Sequence, residues 1–181
     1  IDENHSIKQY ISNRLWKTYR GTHVSTQLLE SIHMALERWL LEIAKTSSKD
    51  IIEGWCLYLL NNSKSASITA VVTSVVFSQT SKLFNIATIL FKTKLFFLYD
   101  KNRWISDQQH KSSLIALRDN FGSIYKNEIF ENERIDACDD KHRQYDLEHL
   151  AVYYQFFRSE KESEDESRKK QAIMWGIFDK Y

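Results

Sequence analysis

The 181-residue sequence predicts an all-α fold of antiparallel helix pairs, arranged as a HEAT-like α-solenoid or as an irregular helical bundle. Three observations carry that expectation. The chain has no proline and only four glycines, which argues against a turn-rich β-sandwich or barrel. Apolar residues recur at helical spacing through most of it. The central stretch Ile51–Tyr99 holds one acid, Glu53, and four bases, Lys64, Lys82, Lys92 and Lys94. That is too little charge to clothe solvent-facing helices, so the stretch is expected to be mostly buried. The length suits a single helical domain, 1–181, or a section of a longer helical array, and 102–123 is where a subdivision would fall. The chain begins at Ile1, not Met, which points to a processed product or an excerpt of a longer protein.

Each element follows from its pattern. Ile7, Tyr10, Ile11, Leu15 and Tyr19 share one face and predict a helix over 6–20, ended by Gly21. Residues 26–45 give the clearest helix: Leu28, Leu29, Ile32, Ala35, Leu36, Trp39, Leu40 and Ile43 form an inward stripe. Ser25 is the cap, and Glu30, Glu37, Arg38, Glu42 and Lys45 form the wet side. A third helix spans 49–61, capped by Ser47 or Ser48 and expected to be covered on two sides. Residues 66–78 favour strand by propensity but lack alternation. Ala66, Ala70, Ser74 and Ser78 recur every four residues, which predicts a buried helix with a face of small side chains. Helices at 82–93, capped by Ser81, and 94–101 follow. Residues 102–123 read as a loop, a short helix near 111–119 and a break at Gly122. Further helices are expected at 126–138 and 142–158, then a charged, exposed helical start after 159 that buries Ile173, Ile177 and Tyr181 at its end. Starts near 26 and 66 lie 40 residues apart, within the period of HEAT-type repeats.

Composition excludes several function classes. Residues 1–120 hold 15 bases and 10 acids, and residues 121–181 hold 10 and 14, so no strong polyanion attraction is expected. Cys56 and Cys138 do not make a disulfide framework, and a cytoplasmic location is expected. No apolar signal region opens the chain, and the uncharged run 65–81 is short and hydroxyl-rich for a membrane span, so no membrane partner is expected. HExxH, GxSxG, Walker-type and GxGxxG motifs are absent. No cofactor and no catalytic residue is assigned. Cys138, His142, Asp139, Asp140 and His149 lack the second ligand pair that zinc needs, so a solvated acidic helix end is favoured over a metal site. Asp100, Arg103 and Trp104 read as a local salt bridge under an aromatic lid. Lys92, Lys94, Lys101, Arg103, Trp104, Lys111 and Arg118 form a candidate interaction surface, for a protein or, less favoured, for nucleic acid, and the charged helices after residue 126 are the alternative place for one.

The strings WCLYLLNNSKSASITAVVTSVV (55–76), LFKTKLFFLYDKNRW (90–104), ACDDKHRQYDLEHLAVYYQFF (137–157) and IMWGIFDKY (173–181) resemble segments of large bacterial STAND-type P-loop NTPases and related multidomain antiphage defence proteins. The resemblance spans residues 25–181. It implies a helical sensor or scaffold segment outside the nucleotide site, working through contacts with neighbouring domains or a foreign protein. The Walker lysine loop is missing, so ATPase activity and site residues do not carry over. A nucleic-acid-binding helical module and a small enzyme with an unrecognised site are the alternatives.

Overall fold

Helix α4, Ala66–Ser78, lies at the centre of the fold. The computed structural model describes residues 6–20, 25–121, 138–158 and 162–181, and for residues 111 and 113–121 the backbone alone. Eleven of the thirteen residues of α4 are buried, so this helix has no wet side. Strand-favouring Val71, Val72, Val75 and Val76 are helical here because burial on all sides outweighs weak intrinsic propensity. Ser65 caps α4 by accepting from the Ser67 amide, Thr73 donates to the Thr69 carbonyl, and Thr69 donates to the Gln9 side chain.

The other elements wrap this axis. They are α1 (Asn13–Lys17), running into a 3-10 turn at Thr18–Arg20, α2 (Gln27–Thr46), α3 (Lys49–Asn62), α5 (Phe84–Phe91), α6 (Lys94–Phe121), a 3-10 turn at Lys141–Gln144, α7 (Leu147–Phe156) and α8 (Glu164–Phe178). The all-α expectation holds. Helix α4 packs against α1, α2, α3, α5 and both 3-10 turns, while α6 packs on α1, α5 and α7, and α8 on α5 and α7. A solenoid repeat touches only its neighbours in sequence. Contacts from α4 to residues 141–144 therefore fit the irregular bundle, not the stacked repeat.

Helices α3 to α5 fall where spacing placed them, with Ser48 and Ser65 as caps, although α5 starts at Phe84 without a side-chain cap. The small-residue face of α4 does what such a face permits: α2 lies against it, and Ser67 and Ser74 bond side chains of α2.

Five expectations need correction. Residues 6–12 are extended, not helical. The Tyr10 amide donates to the Lys64 carbonyl at 2.7 Å and the Ala66 amide to the Tyr10 carbonyl at 2.9 Å, so the α3–α4 linker takes the hydrogen bonds a helix would have used. Helix α2 is rotated from its expected orientation. Its buried face is Glu30, His33, Glu37, Leu40 and Ala44, whereas Leu28, Ile32 and Trp39 are exposed. Helix α3 is covered on one side only, by way of Ile52, Cys56 and Leu60, and Ile51, Trp55 and Tyr58 face out. Residues 94–121 form one helix with no loop at 102–110. In the C-terminal part, Phe157 ends α7 exposed, and α8 buries Met174 and Ile177 while Ile173, Trp175 and Tyr181 stay accessible. The capping box of Ser163 and Glu166 starts α8, and Arg168 pairs with Glu164. Gly21, Gly122 and the expected helix 126–138, apart from Cys138, lie outside the described residues.

The core beneath α4 sets stability. Ile86 of α5 is fully buried, and Leu98 of α6 is 55% exposed. Ile86→Ala is expected to cost about 2–5 kcal/mol in urea unfolding, and Leu98→Ala less than about 0.5 kcal/mol. Equal losses would contradict this assignment of the core.

Candidate functional site

Two polar assemblies interrupt the apolar interior. The first is centred on Arg103, whose five N–H groups all have acceptors. Nε and Nη2 grip the two carboxylate oxygens of Asp100 at 3.0 and 3.2 Å. Nη1 donates to Asp107 at 3.1 Å and to the Arg143 carbonyl at 3.3 Å, and Nη2 also reaches the Tyr145 carbonyl at 2.5 Å. Asp100 further accepts from the Trp16 indole at 3.1 Å and from the Leu147 amide at 2.9 Å. Asp107 receives the Arg20 Nε on both oxygens. Two arginines and two aspartates thus balance in charge while nearly excluded from water. Burial alone would push the Arg103 pKa down, but the Asp100 charge, the Tyr19 hydroxyl, and Asp107 outweigh it and hold it above its ordinary value. Burial raises the Tyr19 hydroxyl well above its ordinary range.

The second assembly is built on Glu37 of α2. Its carboxylate accepts from the Ser74 hydroxyl at 2.5 Å and from Arg143 Nη2 at 3.2 Å, and His142 Nε2 lies 3.6 Å away. Burial would raise the Glu37 carboxyl. His142, Arg143, Arg20 and Ser74 together overcome that and hold it below its ordinary value of 4.5. Nearby, His33 bridges the Leu29 carbonyl and the Ser67 hydroxyl, and the Glu30 carboxylate accepts the Ser25 amide.

Beside this assembly lies a cleft of about 410 Å³ between the end of α4 and residues 141–153. Phe77 and Leu150 supply its apolar lining, Lys141, His142 and His149 its basic groups, and Tyr145 and Tyr153 its phenols. Asp146 caps α7 by accepting from the His149 amide at 2.9 Å, and it accepts from His149 Nδ1 at 2.8 Å. A carboxylate only accepts, so the proton sits on Nδ1 and the ring orientation is fixed. Burial works to raise the Asp146 carboxyl, but the bonds from His149 and Lys101 hold it below its ordinary range. Sequence reasoning did not find this cleft. Its lining comes from residues 77–80 and 141–153, and no local pattern joins the two.

The predicted interaction surface is not assembled as one basic face. Arg103 is buried and fully bonded, so the surface reading is corrected there. Its pairing with Asp100 is the local salt bridge expected from the sequence. Trp104 is half-buried and donates Nε1 to the Gln144 carbonyl at 2.9 Å. Lys101 is held between Asp146 and Glu148 at 3.0 and 2.9 Å and lies over the Trp104 ring. Lys94 bonds the Tyr181 carbonyl at 2.7 Å and covers its ring. Lys92 is exposed, and the side chains of Lys111 and Arg118 lie outside those described. Neutralised and buried cations release few counterions, which weakens the case for nucleic acid.

Both cysteines are buried, and burial pushes the Cys56 thiol up to about 12, far from a reactive thiolate. Among the described residues no group of three or more His, Cys, Asp or Glu side chains is placed to hold a metal ion. No helix is long and apolar enough to cross a membrane among the described residues.

An exposed aromatic row spans α2 and α3. Trp39 meets Trp55 edge-on with centroids 5.1 Å apart, and Trp55 meets Tyr58 at 6.0 Å. Ile32 and Ile51 extend the aromatic row, each more than half exposed. Smaller exposed sets lie on α6, at Leu95, Leu98 and Ile105, and at Phe156 against Trp175. Compared with known families and curated proteins, the chain matches no family model and no curated protein.

Two outcomes follow from the buried charges. Arg103→Met should cost about 3–5 kcal/mol in urea unfolding, because it strands two buried aspartates, and Arg103→Lys should recover only part of that loss. A loss under about 1 kcal/mol would show that these groups are not buried together. Glu37 has a lowered pKa when folded, so its stabilisation is fully present above its ordinary 4.5 and is lost as pH falls through the lower folded value. Stability measured from pH 7 to pH 3 should therefore fall less steeply in Glu37→Gln than in the wild type.

Proposed function

We propose that this chain is a non-catalytic helical scaffold or sensor segment of a multidomain bacterial ATPase of the defence type, and that it acts through protein–protein contacts with neighbouring domains of the same polypeptide. The observation that carries the contact reading is the aromatic row on α2 and α3. Trp39, Trp55 and Tyr58 lie together in the open, flanked by Ile32 and Ile51. Contiguous exposed apolar surface of this kind marks interaction sites, and Trp and Tyr are the residues that dominate binding energy when covered. The additional apolar sets on α6 and at the α7–α8 end favour several domain neighbours over a single small ligand. The ATPase and defence context rests on the resemblance of the strings at 55–76, 90–104, 137–157 and 173–181.

The test begins with the gene. A P-loop NTPase encoded in the same reading frame supports the reading, and a gene ending at these 181 residues with no partner domain sinks it. In the full-length protein, hydrogen exchange at α2 and α3 is expected to slow at least tenfold relative to the chain alone. Trp55→Arg should abolish that protection while shifting the stability of the isolated chain by no more than about 1.5 kcal/mol, the worth of the lost ring contacts. Identical exchange in the two contexts would rule out a domain contact on this face.

A further inference from the structure

We propose that the cleft between the end of α4 and residues 141–153 is a binding site for a small organic anion with a flat apolar body, of about mononucleotide size. Its volume of about 410 Å³ falls in the range of sites that enclose small ligands. Among the described residues the lining carries no Asp or Glu, although the segment that builds half of it is the acidic end of the chain. What faces the cleft instead is one lysine, two histidines and two tyrosines, all able to donate hydrogen bonds.

Two acids contact histidines of the lining. Glu37 lies against His142, and Asp146 holds His149 by Nδ1. The Nδ1 bond orients the His149 ring, and neither carboxylate is among the described residues that line the cavity. Arg103 lies beneath, its guanidinium 5.7 Å from the centre of the Phe77 ring that lines the cleft, but Asp100 and Asp107 balance its charge. Lys141 differs from the basic residues around it. Arg20, Lys101, Arg103 and Arg143 are all engaged by carboxylates, whereas Lys141 is exposed and makes no hydrogen bond or ion pair with any described residue. A cation left unpaired at the mouth of an acid-free cleft is placed to meet an anionic group. Phe77, Leu150 and the rings of Tyr145 and Tyr153 offer the surface for a flat body.

The shared chemistry is an anion joined to an aromatic body, and the probes separate its parts. Calorimetric titration of the full chain uses AMP and phenyl phosphate as aromatic anions, adenosine as the neutral body and inorganic phosphate as the bare anion. At least one aromatic anion is expected to bind at millimolar or lower concentration, at least fivefold more tightly than adenosine or phosphate. Lys141→Glu should weaken it about tenfold, the loss of one charge-assisted contact. Ring-proton signals of His142 and His149 should move on titration. Lys141 has no partner to lose among the described residues, so the variant is expected to keep the wild-type melting temperature, and Lys141→Ala provides a second variant with a smaller loss. The proposal is overturned if neither aromatic anion binds, if phosphate or adenosine binds as well as they do, or if both Lys141 variants bind unchanged.

Discussion

The fold depends on a single guanidinium whose every donor is used. Arg103 links its own helix to the Arg143 and Tyr145 carbonyls, and its partner Asp100 links that helix to Trp16 and to the first amide of α7. Asp107 carries the connection on to Arg20 at the end of the N-terminal segment. Three parts of the chain far apart in sequence, 16–20, 100–107 and 143–147, therefore meet through one charged cluster. Such clusters add little net stability compared with a well-packed apolar substitute, since desolvating the ions costs nearly what their attraction returns. Their effect is geometric. A guanidinium with five fixed acceptors tolerates one arrangement of the elements that supply them, so the register of α6 against residues 141–147 is specified where greasy contacts alone would leave it loose.

Helix α2 follows the same logic in reverse. Its residues allow two orientations: an aromatic-aliphatic stripe inward, or the Glu30–His33–Glu37 face inward. Hydrophobic burial alone selects the first. The second is what forms, because Glu37 finds Ser74, Arg143 and His142, and His33 finds Ser67. Each inward polar group is bonded, so the usual cost of burying it is offset. Trp39 and Ile32 are left outside as a consequence, and the apolar surface available for contacts is set by where the buried carboxylate had to go.

This also explains which features were legible in the sequence. Helices α4 and α5 were, because they are buried mainly by apolar residues, whereas for α3 the position was legible but not the side that stays exposed. The small-residue face of α4 was legible for the same reason, and so was the pairing of Asp100 with Arg103, three residues apart on one helix. The continuity of α6 was not. Its inward face is Asp100, Arg103 and Asp107, which has the right spacing but the wrong chemistry for a hydrophobic pattern. The orientation of α2 was hidden because its partner Arg143 is 106 residues away. The extended start at 6–12 and the cleft share that cause: both are made by pairing segments distant in sequence, here 9–10 with 63–66 and 77–80 with 141–153.

The buried charges and the candidate site are one construction. Residues 141–147 hold to the core largely through groups that leave the cleft side chains free: the carbonyls of Arg143 and Tyr145 accept from Arg103, and the Leu147 amide donates to Asp100. The side chains of Lys141, Tyr145 and His149 project from a backbone that is pinned beneath them. A site assembled this way loses little conformational freedom on occupation, and the part of the interaction energy otherwise spent on ordering the wall is retained as affinity. Glu37 joins the two surfaces, because it bonds the cleft-forming turn on one side of α2 while Trp39, two residues on, faces solvent on the other. The polar interior therefore fixes both the exposed aromatic row and the acid-free cleft, and neither is a by-product of an otherwise apolar core.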